Sequence, residues 1–375
     1  MINNKMLLEN LAEKIHSITC GYPLDSCSGG RLLYILGINQ MYKEGYGFNF
    51  PHVSLSEQEQ ILLVHKIFER IKHDAKVAKQ FGTTFFSSLF GKGLDANPLE
   101  ITSEADFLKY FANQIINASS DIHDKIRNSP EYPIIHKNLE SIISNNIQVN
   151  ENPVNLWVYN HINAGRVISR QKSIKSVLSK FDKKTNLMFD PSENEIYAWE
   201  KNQGKKFNLE EYVRFCIDQM HKSITSGMDF YEFSYKTSEI SEKYKGVQEV
   251  IEGIYLVDLG GTKLIVNNES EMNYALQRLY ADYEDSILTT KTKNNYALKK
   301  KDEAFATGIK TKDEGCYLEL RMTDFFSWIK AELGANSHFE YKKQSANKKY
   351  SPLVEIMSSN RKKAFKMYES LVKIA

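Results

Sequence analysis

The chain predicts an α+β fold, a mainly antiparallel sheet with flanking helices, and three observations carry that expectation. Ile61, Val64, Ile67, Phe68 and Ile71 recur at helical spacing behind a serine-rich start. Two β-rich runs, Gly253–Leu259 and Thr262–Val266, stand either side of Gly260 and Gly261. Tyr317–Asp324 alternates apolar and polar residues with the period of a half-buried strand. Helical patterning dominates 54–240 and strand patterning 250–330, a segregation typical of α+β rather than alternating α/β chains.

The helices follow in order. Ser54 with Glu57, and Ser56 with Glu59, have the spacing of a capping box, in which each side chain satisfies the other's free backbone N–H. A helix from Ser54 to about Gln80 follows. Lys92-Gly93 and Ala96-Asn97-Pro98 punctuate a loop, and Ser103 to Ile116 forms a second helix with Phe107, Leu108 and Phe111 on one face. The stretch 117–155 is rich in Asn, Ser and Pro and reads as loops around one helix near Ile135–Ile143. Asn208 is placed to cap a helix through Tyr212, Val213, Cys216 and Met220.

The strands come later. Gly260-Gly261 between two β runs is the signal of a two-residue hairpin, because glycine supplies the positive φ that primed turns require. Met272–Tyr280 is open to a helix or a further strand. Lys291–Glu314, polar and lysine-rich, reads as a loop, and Ser351-Pro352 opens a last helix toward Ala375. The expected organisation is a catalytic-type domain over 1–340 and a C-terminal helical segment over 341–375.

Composition narrows the function classes. Of 375 residues, 42% are hydrophobic and 26% charged, the balance of a soluble globular protein. Lys plus Arg total 49 against 47 acids, which gives no electrostatic pull toward nucleic acid. The lysine clusters at 299–301, 342–343, 348–349 and 361–363 read as solvated surface. No run is long and apolar enough for a membrane span, and Met1–Glu9 lacks the apolar core of a secretory leader. Cys20, Cys27, Cys216 and Cys316 show no metal-type spacing and suggest free thiols in the cytoplasm.

The candidate site is on Tyr317–Asp324. Glu319 and Arg321 fall on one side of the strand, roughly 6–7 Å apart. A carboxylate and a guanidinium projecting together can hold a metal ion and a phosphoryl group; an ion pair on a wet sheet face is the plainer alternative.

Several segments in order resemble bacterial glutamate–cysteine ligase, of the glutamine-synthetase-like carboxylate–amine ligases. Phe207-Asn208-Leu209-Glu210-Glu211-Tyr212-Val213 is similar to a helix of that family. Leu264-Ile265-Val266-Asn267-Asn268 and Ala275-Leu276-Gln277-Arg278-Leu279-Tyr280 resemble its next segments, and Tyr317-Leu318-Glu319-Leu320-Arg321-Met322-Thr323-Asp324 its last strand. Gly45-Tyr46-Gly47-Phe48-Asn49-Phe50 is a fainter match upstream. The resemblance implies a half-barrel sheet and ATP-dependent amide formation through an acyl phosphate. Glutamate would be joined to cysteine or another amine, the chemistry of glutathione biosynthesis. By it, Glu319 is a magnesium ligand, Arg321 a catalytic and ATP phosphate contact, and Asn49 lines the nucleotide site.

The chain also departs from that pattern. No Glu-x-Glu strand precedes Gly45, Gly47 stands at the family's histidine position, and Phe325-Phe326 replaces an Asn-Pro-Phe. A divergent ligase and a catalytically inactive relative acting as a binding protein therefore both stand open. A third reading makes Cys27, at a glycine-rich turn, the nucleophile of a hydrolase with His52, His161 or His221 as base.

Overall fold

A computed structural model describes residues 4–18, 55–91, 104–144, 157–163, 166–172, 188–225, 259–298, 304–311 and 317–335, with isolated positions elsewhere. The fold is mixed α+β with a mostly antiparallel open sheet. The chain divides into two compact units. One comprises Met1–Ile71, Ile174–Leu256 and Tyr350–Ala375, and the other Lys72–Ser173 and Val257–Lys349.

In the first unit, α1 (Asn4–Ile18) buries Leu11 and Ile15. The helix α2 (Glu57–Phe90) begins here and continues into the second unit. Its start is the capping box expected from Ser56 and Glu59. The Ser56 N–H donates to the Glu59 carboxylate at 2.7 Å, and the Glu59 N–H to Ser56 Oγ at 3.3 Å. Lys14 Nζ donates to the same carboxylate at 2.8 Å. Burial pushes the Glu59 carboxyl up, but Lys14 and Ser56 outweigh it and hold it below the ordinary carboxylate range.

Two further helices of this unit are α6 (Glu193–Gln203) and α7 (Leu209–Thr225). Gly204 ends α6 at φ 65°, a left-handed cap that glycine adopts without strain. Asn208 starts α7 as expected, its Oδ1 accepting from the Glu211 N–H at 3.1 Å. Trp199 meets Tyr212 and Phe215 edge-on at 5.4 and 5.5 Å between ring centroids. Cys216 is buried beside them, and burial pushes its thiol up to about 12.

The second unit holds the sheet. Its strands are β1 (Trp157–Asn163), β2 (Val167–Lys172), β3 (Gly260–Val266), β4 (Ile287–Asn294), β5 (Phe305–Lys310) and β6 (Tyr317–Asp324). They lie in the order β1-β2-β3-β6-β5-β4, and every neighbouring pair is antiparallel except the central β3 and β6. A parallel pair needs a long crossover, supplied here by α8 (Glu269–Tyr283), β4 and β5.

Alternation along the strands makes two faces. One is mainly apolar: Val167, Leu264, Val266, Phe305, Ile309, Leu318, Leu320 and Met322 pack on Ala78, Phe85 and Phe86 of α2 and on Met272, Ala275 and Leu279 of α8, with the buried hydroxyls of Ser169, Thr262 and Thr307 among them. The other is apolar at one end only. There Ile168 and Ile265 pack on α3 (Glu104–Ile116), α5 (Tyr132–Ile143) and α9 (Phe325–Leu333), with the short α4 (Ser120–Arg127) alongside. Trp328 of α9 is the centre of that layer, 4.6 Å from the Phe111 ring. Asn138 Nδ2 donates to the Leu333 carbonyl at 2.8 Å, satisfying the end of α9.

Four expectations change against this fold. Gly260 and Gly261 are not a hairpin turn; both lie in β3, paired with Gln171 and Arg170 on one side and Leu318 and Glu319 on the other. Lys291–Glu314 is not a plain loop: β4 ends and β5 runs inside it, and β4 lies at the sheet edge, where Thr and Lys side chains are readily accommodated. The stretch 117–155 holds two helices, α4 and α5, rather than one. The first helix runs on to Phe90 rather than Gln80. Residues 253–258, and most of the C-terminal segment, lie outside the described residues.

Gly260 is required by close approach. A Cβ there would lie 2.3 Å from the Asp74 carbonyl oxygen in the backbone of α2. Gly260→Ala is expected to destabilise the protein by about 1–3 kcal/mol, since helix and strand must separate to admit it; urea unfolding measures it. Cys216, buried and with its thiol pushed up to about 12, is expected to resist alkylation in the native protein and to react only on unfolding. Mass spectrometry of iodoacetamide-treated samples reads this out.

Candidate functional site on the polar sheet face

The charged residues collect where the second sheet face stops being apolar. In register, Arg170 of β2 lies opposite Gly261 of β3, and Gly261 lies beside Glu319 of β6. Gly261 puts no side chain between them. A Cβ there would lie 3.1 Å from Arg170 Nε and 3.1 Å from the Glu319 carbonyl oxygen. Arg170 therefore reaches across the central strand, and its Nη2 donates to the Glu319 carboxylate. Its side chain is 1% exposed and that of Glu319 27%.

The next row on this face is Ile168, Lys263, Arg321 and Ala306. Lys263 and Arg321 are direct cross-strand partners of like charge, an arrangement that needs compensation. Glu332 of α9 provides it: Lys263 Nζ donates to Glu332 Oε1 at 2.6 Å, and Trp328 Nε1 donates to the same oxygen at 3.3 Å. Both members of the pair are buried. Burial pulls the Lys263 ammonium below the ordinary lysine range; Glu332 opposes this, and Arg170 and Arg321 add to it. Lys172, also buried, is the next β2 residue on this face.

The helix that supplies Glu332 follows the strand that supplies Glu319 without a loop. Asp324, last in β6, caps α9: its Oδ1 accepts from the Ser327 N–H at 2.8 Å and its Oδ2 from the Ser327 hydroxyl at 2.9 Å.

Of the residues singled out from sequence, Glu319 and Arg321 are neighbours on one sheet face, as expected, and both are half-buried. Asn49, Cys27 and His52 lie outside the described residues. His161 is in β1 and His221 in α7. Arg170, Lys263 and Glu332 complete the cluster and were not picked out from sequence. The signal that could have found Arg170 is the pair of β-type runs flanking Ala164-Gly165, which marks 157–172 as two strands.

This donor set can be weighed against a magnesium ion. Magnesium takes oxygen ligands, with carboxylates converging on it. Here the Glu319 carboxylate is engaged by Arg170, and Arg321 and Lys263 stand in the adjacent row. Among the described residues no three His, Cys, Asp or Glu side chains are grouped to hold a metal ion. The described residues of this face therefore do not fit magnesium; their chemistry suits an anion.

Beside α4 and α9 lies an open groove of about 570 Å³, lined by Asp121, Asp124, Lys125, Phe326 and Lys330 among others. Its charges are of both signs and lie at the surface. No helix among the described residues is long and apolar enough to cross a membrane. No protein-family model matches the chain, and no curated protein matches it in sequence.

Breaking the buried pair tests the cluster. Glu332→Gln is expected to cost about 3–5 kcal/mol, because it leaves Lys263 buried among cations. Replacing both, Lys263→Met with Glu332→Leu, is expected to recover most of that loss. A double-mutant cycle by urea denaturation measures the coupling.

Proposed function

We propose that the chain is an anion-binding relative of the glutamate–cysteine ligase kind of carboxylate–amine ligase, with the polar face of its sheet as the binding surface. In this reading the open six-stranded sheet corresponds to the half barrel of that superfamily. The order of the matching segments supports the kinship, and so does the strand Tyr317–Asp324 at the centre of the sheet. The observation that carries binding over catalysis is the Arg170–Glu319 pair. The carboxylate that a ligase would offer to magnesium is held by a buried guanidinium, while Arg321 stands half-buried beside it.

A guanidinium on a rigid strand suits phosphate and carboxylate, because its donors match two acceptor oxygens at once. Arg321 would make that contact, with Arg170 and Lys263 adding to the local positive field. ATP-dependent ligation is the second reading, favoured by the Tyr317–Asp324 match alone.

Incubation with glutamate, cysteine, ATP and magnesium is expected to release no ADP. Titration with ATP in the presence of a chelator is expected to show binding that Arg321→Ala weakens about tenfold, the loss of one charged hydrogen bond. ADP release that Glu319→Gln abolishes would establish the ligase instead.

A further inference from the structure

The irregularities of the sheet fall at its two margins. Pairing runs in unbroken register from β2 through β3 and β6 to β5. Among the described residues the register breaks in β1 between Tyr159 and His161 and in β4 between Leu288 and Lys293, and these are the edge strands. β1 takes two steps from Tyr159 to His161 while β2 takes one from Arg170 to Ser169, a single extra residue. The break in β4 is larger. The chain takes five steps from Leu288 to Lys293 while β5 takes two from Gly308 to Ala306, so β4 carries three residues more than its partner.

Thr292 shows which three. Its Oγ1 lies 2.7 Å from Oγ1 of Thr307, the buried residue between Ala306 and Gly308. Thr292 therefore stands opposite Thr307, and Thr289–Lys291 is the surplus. The same Thr292 hydroxyl donates to the Leu288 carbonyl at 3.1 Å, across the base of the bulge. Thr292 thus pins the bulge shut and anchors it to the neighbouring strand.

We infer that this bulge is an edge stop: it keeps the outer side of β4 from pairing with a further strand, above all the β4 of a second copy of this chain. An edge strand presents a row of unpaired N–H and C=O groups, and a bulge twists that row out of line. It leaves two runs of two paired residues, Ile287–Leu288 and Lys293–Asn294, where strands need about three or more in line. Thr289 and Lys293 are exposed, and a lysine on an edge further opposes pairing with a like chain. Without Thr289–Lys291, Thr292 would follow Leu288, and the ladder would run unbroken from Ile287 to Asn294 opposite Ile309 to Phe305. An unbroken edge of this kind can pair with its own copy across a two-fold axis. The inference is independent of what the polar face binds.

Excision of Thr289–Lys291 from the full chain tests this, with molar mass read by size-exclusion chromatography and light scattering over a concentration series. Circular dichroism and urea unfolding establish that the excised chain is folded. Its mass is expected to rise with concentration to about twice that of wild type, as a two-fold pair requires. Hydrogen exchange locates the contact: the amides left between 287 and 294 slow on association. In wild type the β4 amides are expected to exchange at a rate independent of concentration. A folded excised chain with the mass of wild type overturns the inference, and so does a rise in mass with no slowing at β4. Wild-type β4 amides that slow as concentration rises overturn it as well. Should the excised chain not fold, Thr292→Val keeps every residue and removes both hydroxyl contacts. Concentration-dependent slowing at β4 in that variant supports the inference, and its absence overturns it.

Discussion

The fold depends on the absence of two side chains at the head of β3. Gly260 faces the helical layer and Gly261 faces the charged one, so at this point the central strand has no side chain on either face. On the first face the α2 backbone at Asp74 comes to where a Cβ would sit. Further along, Gly82 returns the favour from the helix: a Cβ there would lie 2.2 Å from Thr262 Oγ1. Helix and strand thus approach through a glycine on each, and the apolar layer of Ala78, Phe85, Val167 and Leu264 closes around the contact. On the second face the missing side chain is what lets Arg170 cross to Glu319.

That second face carries a cost the first does not. Arg170 and Lys263 are buried cations, and a charge out of water is stable only when a counter-ion and further hydrogen bonds replace its solvation. Both counter-ions come from one continuous piece of chain. Glu319 lies in β6 and Glu332 in α9, and Asp324 fixes the junction between strand and helix by capping it. The geometry of 317–333 therefore sets two ion pairs at once, one half-buried and one buried, and Trp328 locks the helix that carries the second by packing on Phe111. A weakened junction would expose both cations together, so strand, cap and helix form one energetic unit.

How much of this the sequence reveals depends on how local the cause is. The Ser56–Glu59 capping box and the Asn208 cap were legible because each is settled within three residues. The strand Tyr317–Asp324 was legible from its alternation, and with it the shared face of Glu319 and Arg321. The glycine pair was misread because a turn and a two-sided close approach ask the same thing of a residue, the lack of a Cβ. Only the packing partners, Asp74 on one side and Arg170 on the other, tell them apart. The edge strand β4 is hard to read because its Thr and Lys residues look like loop to any rule built on apolar alternation.

The chemistry of the candidate site is the least local of all. Glu319 followed two residues later by Arg321 describes a metal-and-phosphate site and an anion seat equally well, since both put a carboxylate beside a guanidinium. The choice falls to Arg170, which is 149 residues away in sequence and adjacent in space. With a buried guanidinium as its neighbour, the Glu319 carboxylate already has a counter-ion, and Arg321 and Lys263 put further positive charge in the adjacent row. The same pattern with an acid or a neutral residue at 170 would invert that field. Cross-strand register, more than the identity of the strand residues themselves, therefore sets the charge carried by this face.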